Sequence, residues 1–310
     1  MNGKIERIAI LGAGTMGLAI AQFFAEKGIY INLYSRTEKT LEKATRQIHD
    51  NLLMLGEFDD KECQTDLILQ HIRYSTSIKE ASKDADWIIE TVTENVEVKK
   101  RVIEEAAMYA SRNTLISSDT SALNIFSFID IEQVENVLIT HFFNPANLMP
   151  LVEIIPGPKT SDKAVRIIQA FLEEKGKQPI VIKRYIPGFI ANRLTLALAR
   201  EAFYLAEEGY ASIEDIDRVI TSTFGPRYIF EGIFDLYDNI GLDVGYAVAK
   251  DLLPKLCSKT EVSEILKDKV DKGEFGIKTG RGLKDYKGKD CIQMSIERNL
   301  KIAKSMKVFD

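Results

Sequence analysis

The sequence predicts an α/β protein: a Rossmann-type doubly wound sheet followed by an all-helical C-terminal domain. Three observations carry that expectation. Short β-branched runs alternate with amphipathic stretches from Ile5 to about Leu151. A Gly-x-Gly-x-x-Gly turn joins the first strand to the first helix, and beyond Pro187 the pattern becomes almost wholly helical. Alternating strand and helix is the pattern of a parallel sheet covered on both faces.

In chain order, "RIAILG", "YINLY", "DWIIETV", "NTLISS" and "VENVLITHFF" read as strands, being short, apolar and bounded by turn or charged residues. Between them "TMGLAIAQFFAEKG" and "NVEVKKRVIEEAAMYASR" carry apolar residues at helical spacing, and residues 37–71 look largely helical. A strand "LVEII", a helix over about 161–175 and a strand "QPIVI" follow. Then "FIANRLTLALAREAFYLAEEG", "SIEDIDRVITSTF", residues 243–252 and residues 260–271 read as helices. Ser212 looks like an N-cap with acidic residues in the first turn behind it. Pro187-Gly188 punctuates the chain. The expected division falls near Lys183–Pro187, with a dinucleotide-binding domain over 1–185 and a helical substrate and dimerisation domain over 186–310.

The 310 residues, 45% hydrophobic and 28% charged, suffice for a sizeable core in two domains. A net charge of −5 argues against a nucleic-acid or anionic-membrane partner. No apolar run reaches the roughly 18 residues of a membrane span. The start of the chain does not read as a signal peptide, so the cytoplasm is the expected location. Cys63, Cys257 and Cys291 lie far apart, without disulfide or metal-ligand spacing, and no metal is expected.

Gly12, Gly14 and Gly17 stand where a tight turn, close backbone approach to a pyrophosphate and close helix packing are each required. The helix start through Thr15 and Met16 offers amides and a positive dipole end to the phosphates. An NAD-preferring site has an acid at the end of the second strand, about 20 residues on. Here "YINLY" delivers Ser35 and Arg36, a hydroxyl and a guanidinium suited to a 2′-phosphate. The cofactor class is therefore NAD(P), with NADP(H) expected over NAD(H).

Farther on, Thr120-Ser121 follows one strand and His141 ends another, and open α/β sheets bind ligands at such carboxyl ends. Glu153 sits inside the apolar run "LVEII", where a carboxylate needs a partner, and His141 is a candidate. Asn192 stands in "IPGFIANRL", at the start of the first long helix of the second domain. Ser121 can alternatively cap the stretch "ALNIFSF".

The glycine turn, "IIETVTEN", "SDTSAL", "HFFNP", "LVEII" and "PGFIANRL" occur in an order that resembles the short-chain L-3-hydroxyacyl-CoA dehydrogenase family, which includes 3-hydroxybutyryl-CoA dehydrogenases. "DNIGLD" and "GIKTGRGLKDY" resemble its C-terminal motifs. The resemblance implies an oxidoreductase of fatty acid metabolism, interconverting an L-3-hydroxyacyl-CoA and a 3-oxoacyl-CoA. It implies His141 as general acid/base and Glu153 as the group that orients it. By the same likeness Ser121 and Asn192 hold substrate oxygens, Glu94 and Lys99 stand beside the cofactor, and a homodimer is expected. Lys39, Lys43, Arg46 and Lys61 fall where the family binds CoA.

Some positions depart from the pattern. Asp119 replaces the usual Asn, and Leu283-Lys284 stands where an aromatic pair is common. "GPRYIFEGIFDLYDNIGLD" resembles instead the branch acting on free hydroxy acids, including L-gulonate 3-dehydrogenases and L-carnitine dehydrogenases. A dehydrogenase of a free 3-hydroxy acid or sugar acid is therefore the alternative reading. A non-catalytic NADP-binding protein is a second alternative.

Overall fold

A computed structural model describes residues 4–59 and 64–308; Lys61 and Cys63 lie outside the described residues. Strands β1 (Arg7–Leu11), β2 (Tyr30–Tyr34), β3 (Ile72–Ser75), β4 (Trp87–Glu90), β5 (Leu115–Ser118), β6 (Val137–Phe142), β7 (Leu151–Pro156) and β8 (Gln178–Val181) form one sheet. Their order is β3-β2-β1-β4-β5-β6-β7-β8. Helices α1 (Thr15–Glu26), α2 (Glu38–Asp59), α3 (Thr65–Leu69), α4 (Ile78–Ser82), α5 (Val96–Tyr109) and α6 (Asp162–Glu174) accompany it.

The sheet is doubly wound, and one pairing departs from the all-parallel expectation. β7 runs antiparallel to β6, with His141 directly opposite Glu153. The cause is length, because residues 143–150 are too few to cross over a sheet face and can only turn back. β8 then pairs parallel to β7. β3 and α4 were not among the expected elements. β3 has four residues, Ile-Arg-Tyr-Ser, and is fixed by pairing Ile72 to Ile31 of β2 rather than by an apolar run of its own.

Both sheet faces are covered, so successive residues of β1 enter different cores. Ile8 and Ile10 join Phe24, Trp87 and Phe171 on one side; Ala9 and Leu11 join Ile88, Ile103 and Ile116 on the other. Burial on both faces explains why these strands read as continuous apolar runs without polar alternation. Phe24 packs its ring 5.8 Å from Trp87 and 5.7 Å from Phe171.

The chain divides into two compact units, one reaching Ile190 and including Asn299–Ala303, the other formed by Ala191–Arg298 with Lys304 onward. The second is helical: α7 (Ala191–Glu207), α8 (Ile213–Val219), α9 (Gly225–Tyr228), α10 (Ile233–Ile240), α11 (Leu242–Leu252), α12 (Glu264–Asp271) and α13 (Cys291–Met306). Ser212 caps α8 by accepting from the Asp215 N–H at 3.1 Å. Among the described residues of this unit only Gly245, Cys257 and Gly282 are buried. No helix among the described residues is long and apolar enough to cross a membrane.

Candidate active site

The glycine turn is built by contacts that exclude side chains. At Gly12, φ is +129° and a Cβ would lie 2.8 Å from the Thr91 carbonyl oxygen. A Cβ on Gly17 would meet the Gly12 carbonyl oxygen at 1.8 Å, so α1 packs against the turn too closely for any other residue. Gly14 differs, since nothing lies within 4 Å of its absent Cβ. That open space lies at the start of α1, where Gly14 is the N-cap. First-turn amides have no intrahelical partner. The turn therefore fits a pyrophosphate seated on the helix N-terminus.

A cavity of about 960 Å³ includes this turn, lined by Gly12, Gly14, Thr15 and Met16 together with Ser35, Arg36 and Thr37. Thr91, Val92, Thr93, Val98, Arg101 and Glu105 also line it. Its size and extent suit a dinucleotide. Arg36 is exposed and forms no ion pair among the described residues.

Val92 also borders a buried charge cluster. Lys99 of α5, 1% exposed, donates to Glu90 Oε1 at 2.9 Å and Oε2 at 3.2 Å and to the Val92 carbonyl at 3.3 Å, and pairs with Glu94 Oε2 at 3.3 Å. Glu90, fully buried at the end of β4, also accepts from Ser118 Oγ at 2.5 Å and the Val92 N–H at 2.6 Å. Each ammonium proton thus has an acceptor, as a buried lysine requires. Burial pushes Glu90 above its ordinary value, opposed by Lys99 and the Ser118 hydroxyl. Glu94 accepts from Thr120 Oγ1 at 2.5 Å and from the Ser121 and Ala122 N–H groups at 3.1 and 3.2 Å. Partial burial works against its charge, but the Thr120 bond and Lys99 outweigh it and hold Glu94 below the usual range. Glu94 thereby fastens the loop carrying Ser121.

That loop is capped by Thr120, whose Oγ1 accepts from the Leu123 N–H at 2.9 Å. Ser121, the next residue, is exposed. Asp119 ties the loop to β6 by accepting from the Phe142 N–H at 2.8 Å. Burial pushes the Asp119 carboxyl well above its ordinary value, and Glu90 and Glu94 add to the shift against the Phe142 N–H and Lys99.

His141 and Glu153 meet across the antiparallel β6–β7 pair, Nδ1 to Oε2 at 2.8 Å. Both are buried, Glu153 completely. A carboxylate accepts, so Nδ1 carries the hydrogen and Nε2 is left as the atom that exchanges a proton. Glu153 Oε1 accepts from the Ile190 N–H at 2.9 Å, so both carboxylate oxygens are engaged. The rings of Phe143 and Phe189 lie 4.5 and 5.3 Å from the imidazole centroid. Phe189 is fully buried with φ of +51°, next to Gly188 at +77°. These two left-handed residues aim the Ile190 amide at Glu153. A non-glycine residue there costs about 1 kcal/mol or more and persists where the surroundings impose it.

Four contributors escaped sequence reading. Glu90 had a signal, since a carboxylate ending the apolar strand "WIIE" is as out of place as Glu153. Phe189 and Ile190 had only the preceding Pro187-Gly188, because a backbone amide has no sequence signature. Lys177, 4% exposed before β8, donates to the Ala146 and Met149 carbonyls at 2.6 and 2.7 Å and holds the connector between β6 and β7. Burial lowers its ammonium to about 7, with Lys27 adding to the effect. Asn192 lies in the first turn of α7, in the helical unit. Among the described residues, no cluster of His, Cys, Asp and Glu side chains could hold a metal ion.

Residues 7–185 match the family model of the 3-hydroxyacyl-CoA dehydrogenase NAD binding domain, and residues 188–286 that of the 3-hydroxyacyl-CoA dehydrogenase C-terminal domain. A probable 3-hydroxybutyryl-CoA dehydrogenase of Bacillus subtilis is 32% identical over 289 residues, covering 92% of this chain and 99% of its own. A 5-formyl-3-hydroxy-2-methylpyridine 4-carboxylate 5-dehydrogenase of Mesorhizobium japonicum is 29% identical over 99% of both chains. A solved 5-dehydrogenase of that pyridine carboxylate, described as an NAD+ dependent dismutase, superimposes with a TM-score of 0.90 over 98% of both chains at 28% identity. The (S)-3-hydroxybutyryl-CoA dehydrogenase of Ralstonia eutropha superimposes at 0.73, covering 91% of this chain and 99% of its own at 30% identity. Two consecutive family matches and relatives matched almost end to end leave one conclusion: the chain belongs to the 3-hydroxyacyl-CoA dehydrogenase family and is an oxidoreductase.

Proposed function

We propose that the protein interconverts an L-3-hydroxyacyl-CoA and a 3-oxoacyl-CoA of the 3-hydroxybutyryl type, with NADP(H) preferred over NAD(H). The observation that carries the reaction is the buried His141–Glu153 pair at 2.8 Å. A nicotinamide bound along the cavity supplies the hydride chemistry. In oxidation His141 Nε2 takes the hydroxyl proton, and the positive charge that develops on the ring faces the Glu153 carboxylate. In reduction the protonated ring returns that proton to the forming alkoxide. General acid–base catalysis of this kind contributes about 10²- to 10⁴-fold. Ser121 and Asn192 hold the reacting oxygen and the neighbouring carbonyl in line, which lowers the entropic part of the barrier. Lys99 acts at one remove, because its three protons are engaged in holding Glu90 and Glu94.

Support for a CoA substrate comes from α2, where the exposed Lys39, Lys43 and Arg46 follow one another at i, i+4 and i+7. Such a row of cations suits the phosphates of CoA. Support for NADP(H) is the Ser35-Arg36 pair on the cavity wall. A second reading, a dehydrogenase of a free 3-hydroxy acid or sugar acid and not of a CoA ester, draws support from the TM-score of 0.90 to an enzyme of a free pyridine carboxylate against 0.73 to a CoA-ester enzyme.

The deciding test is the initial rate of NADPH and of NADH oxidation with acetoacetyl-CoA and with free acetoacetate. The reading expects NADPH with the thioester to be fastest, and His141→Gln to lower kcat by about 10³-fold. If only a free acid turns over, the CoA assignment falls. A faster rate with NADH overturns the cofactor preference.

A further inference from the structure

Arg36 is one of two guanidinium groups on the wall of the dinucleotide cavity. The other is Arg101, in the second turn of α5. Both are exposed, and neither forms an ion pair or hydrogen bond among the described residues. Both line the same cavity as Tyr34 and Glu105. The Tyr34 phenol, pushed up chiefly by burial and then by Glu105, is drawn down by Arg36 and by Arg101. Two like charges lining one cavity repel each other, and an anion bound between them relieves that repulsion. A phosphate monoester, with nearly two negative charges and three acceptor oxygens, is such an anion and can accept bidentate bonds from both sides.

We propose that Arg101 is a specificity-determining residue that closes on the 2′-phosphate of NADP(H) from α5, opposite Arg36 at the end of β2. The inference rests on the NADP(H) reading above and extends it to a helix outside the usual strand-end position. Glu105, one turn after Arg101 on the same wall, gives the alternative a definite form. A ribose 2′-hydroxyl can donate to that carboxylate, and NAD(H) would be held in its place.

Adenosine 2′,5′-bisphosphate and adenosine 5′-monophosphate, titrated into the full-length protein by calorimetry, separate these outcomes without turnover. The wild type is expected to bind the bisphosphate at least tenfold more tightly, and Arg101→Met and Arg36→Met to lose about 10- to 50-fold of that affinity each. Affinity for the monophosphate should stay within about twofold in both. Arg101→Lys keeps the charge, loses the fork, and should fall between wild type and Arg101→Met. Circular dichroism confirms that each variant is folded. A wild type that prefers the monophosphate overturns the NADP(H) reading and this inference with it. A wild type that prefers the bisphosphate, with Arg36→Met impaired and Arg101→Met unimpaired, leaves the NADP(H) reading standing and overturns the role of Arg101 alone.

Discussion

Burial pushes the Asp119 carboxyl well above its ordinary value. It is buried, bonded to the Phe142 N–H and close to two further carboxylates. A folded value raised above the unfolded one means that folding binds a proton. The stabilisation is then complete below the ordinary Asp value of about 3.9 and is lost as pH rises toward the raised value. Asp119→Asn keeps the acceptor for Phe142 and never ionises. Its melting temperature should equal or exceed that of the wild type at pH 8, and the difference should shrink toward pH 4. Parallel curves for the two proteins would mean that Asp119 is ionised in the folded state. Other residues of the site were easier to read because they are chemically misplaced in their strands. Glu153 in "LVEII" and His141 before "FFNP" stand out in an apolar context, and the antiparallel register sets them face to face. The charge state of Asp119 and the Ile190 amide on Glu153 depend on neighbours 23 and 37 residues away, which no local pattern encodes.

Among elements, the connector between β6 and β7 has the strongest bearing on the site, because it joins the strand of His141 to the strand of Glu153. Lys177 anchors it through two carbonyls, and its ammonium lies 3.8 Å from the Phe23 ring centroid. Lys177→Met removes those bonds and leaves two carbonyls without their donor. A loss of about 2–4 kcal/mol is expected, together with a fall in kcat as the His141–Glu153 geometry loosens. Thermal melts and steady-state rates check this, and unchanged values of both would show that the connector holds itself. Strands with a continuous apolar run, such as β1 and β4, were legible because burial on both faces writes itself into composition. β3 was not, since its four residues take their conformation from β2. Neither was the direction of β7, which is decided by the length of a connector and leaves no trace in hydrophobic periodicity. α10 and α13 likewise lie outside the helices expected from the pattern.

At the scale of the whole molecule, the two units differ in how they account for their apolar residues. The first buries Trp87, Phe24, Ile8 and Ile10 almost completely. The helical unit instead exposes Phe234 at 87%, Phe230 at 77%, Tyr246 at 68% and Leu196 at 66%. On α10, Ile233, Phe234, Tyr237 and Ile240 are all exposed, a density of apolar side chains that a stable monomer rarely leaves in water. A second copy of the chain is the occupant expected by analogy with the family, and mass action then links assembly to stability. For a dimer that holds these side chains, the melting temperature rises with protein concentration, because only the folded state associates. Sedimentation of the wild type should give twice the chain mass at micromolar concentration. Replacing Phe230 and Phe234 together by Asp should give a single-chain mass and a melting temperature independent of concentration. A wild type that sediments as one chain over the whole range would show that this apolar surface has another use.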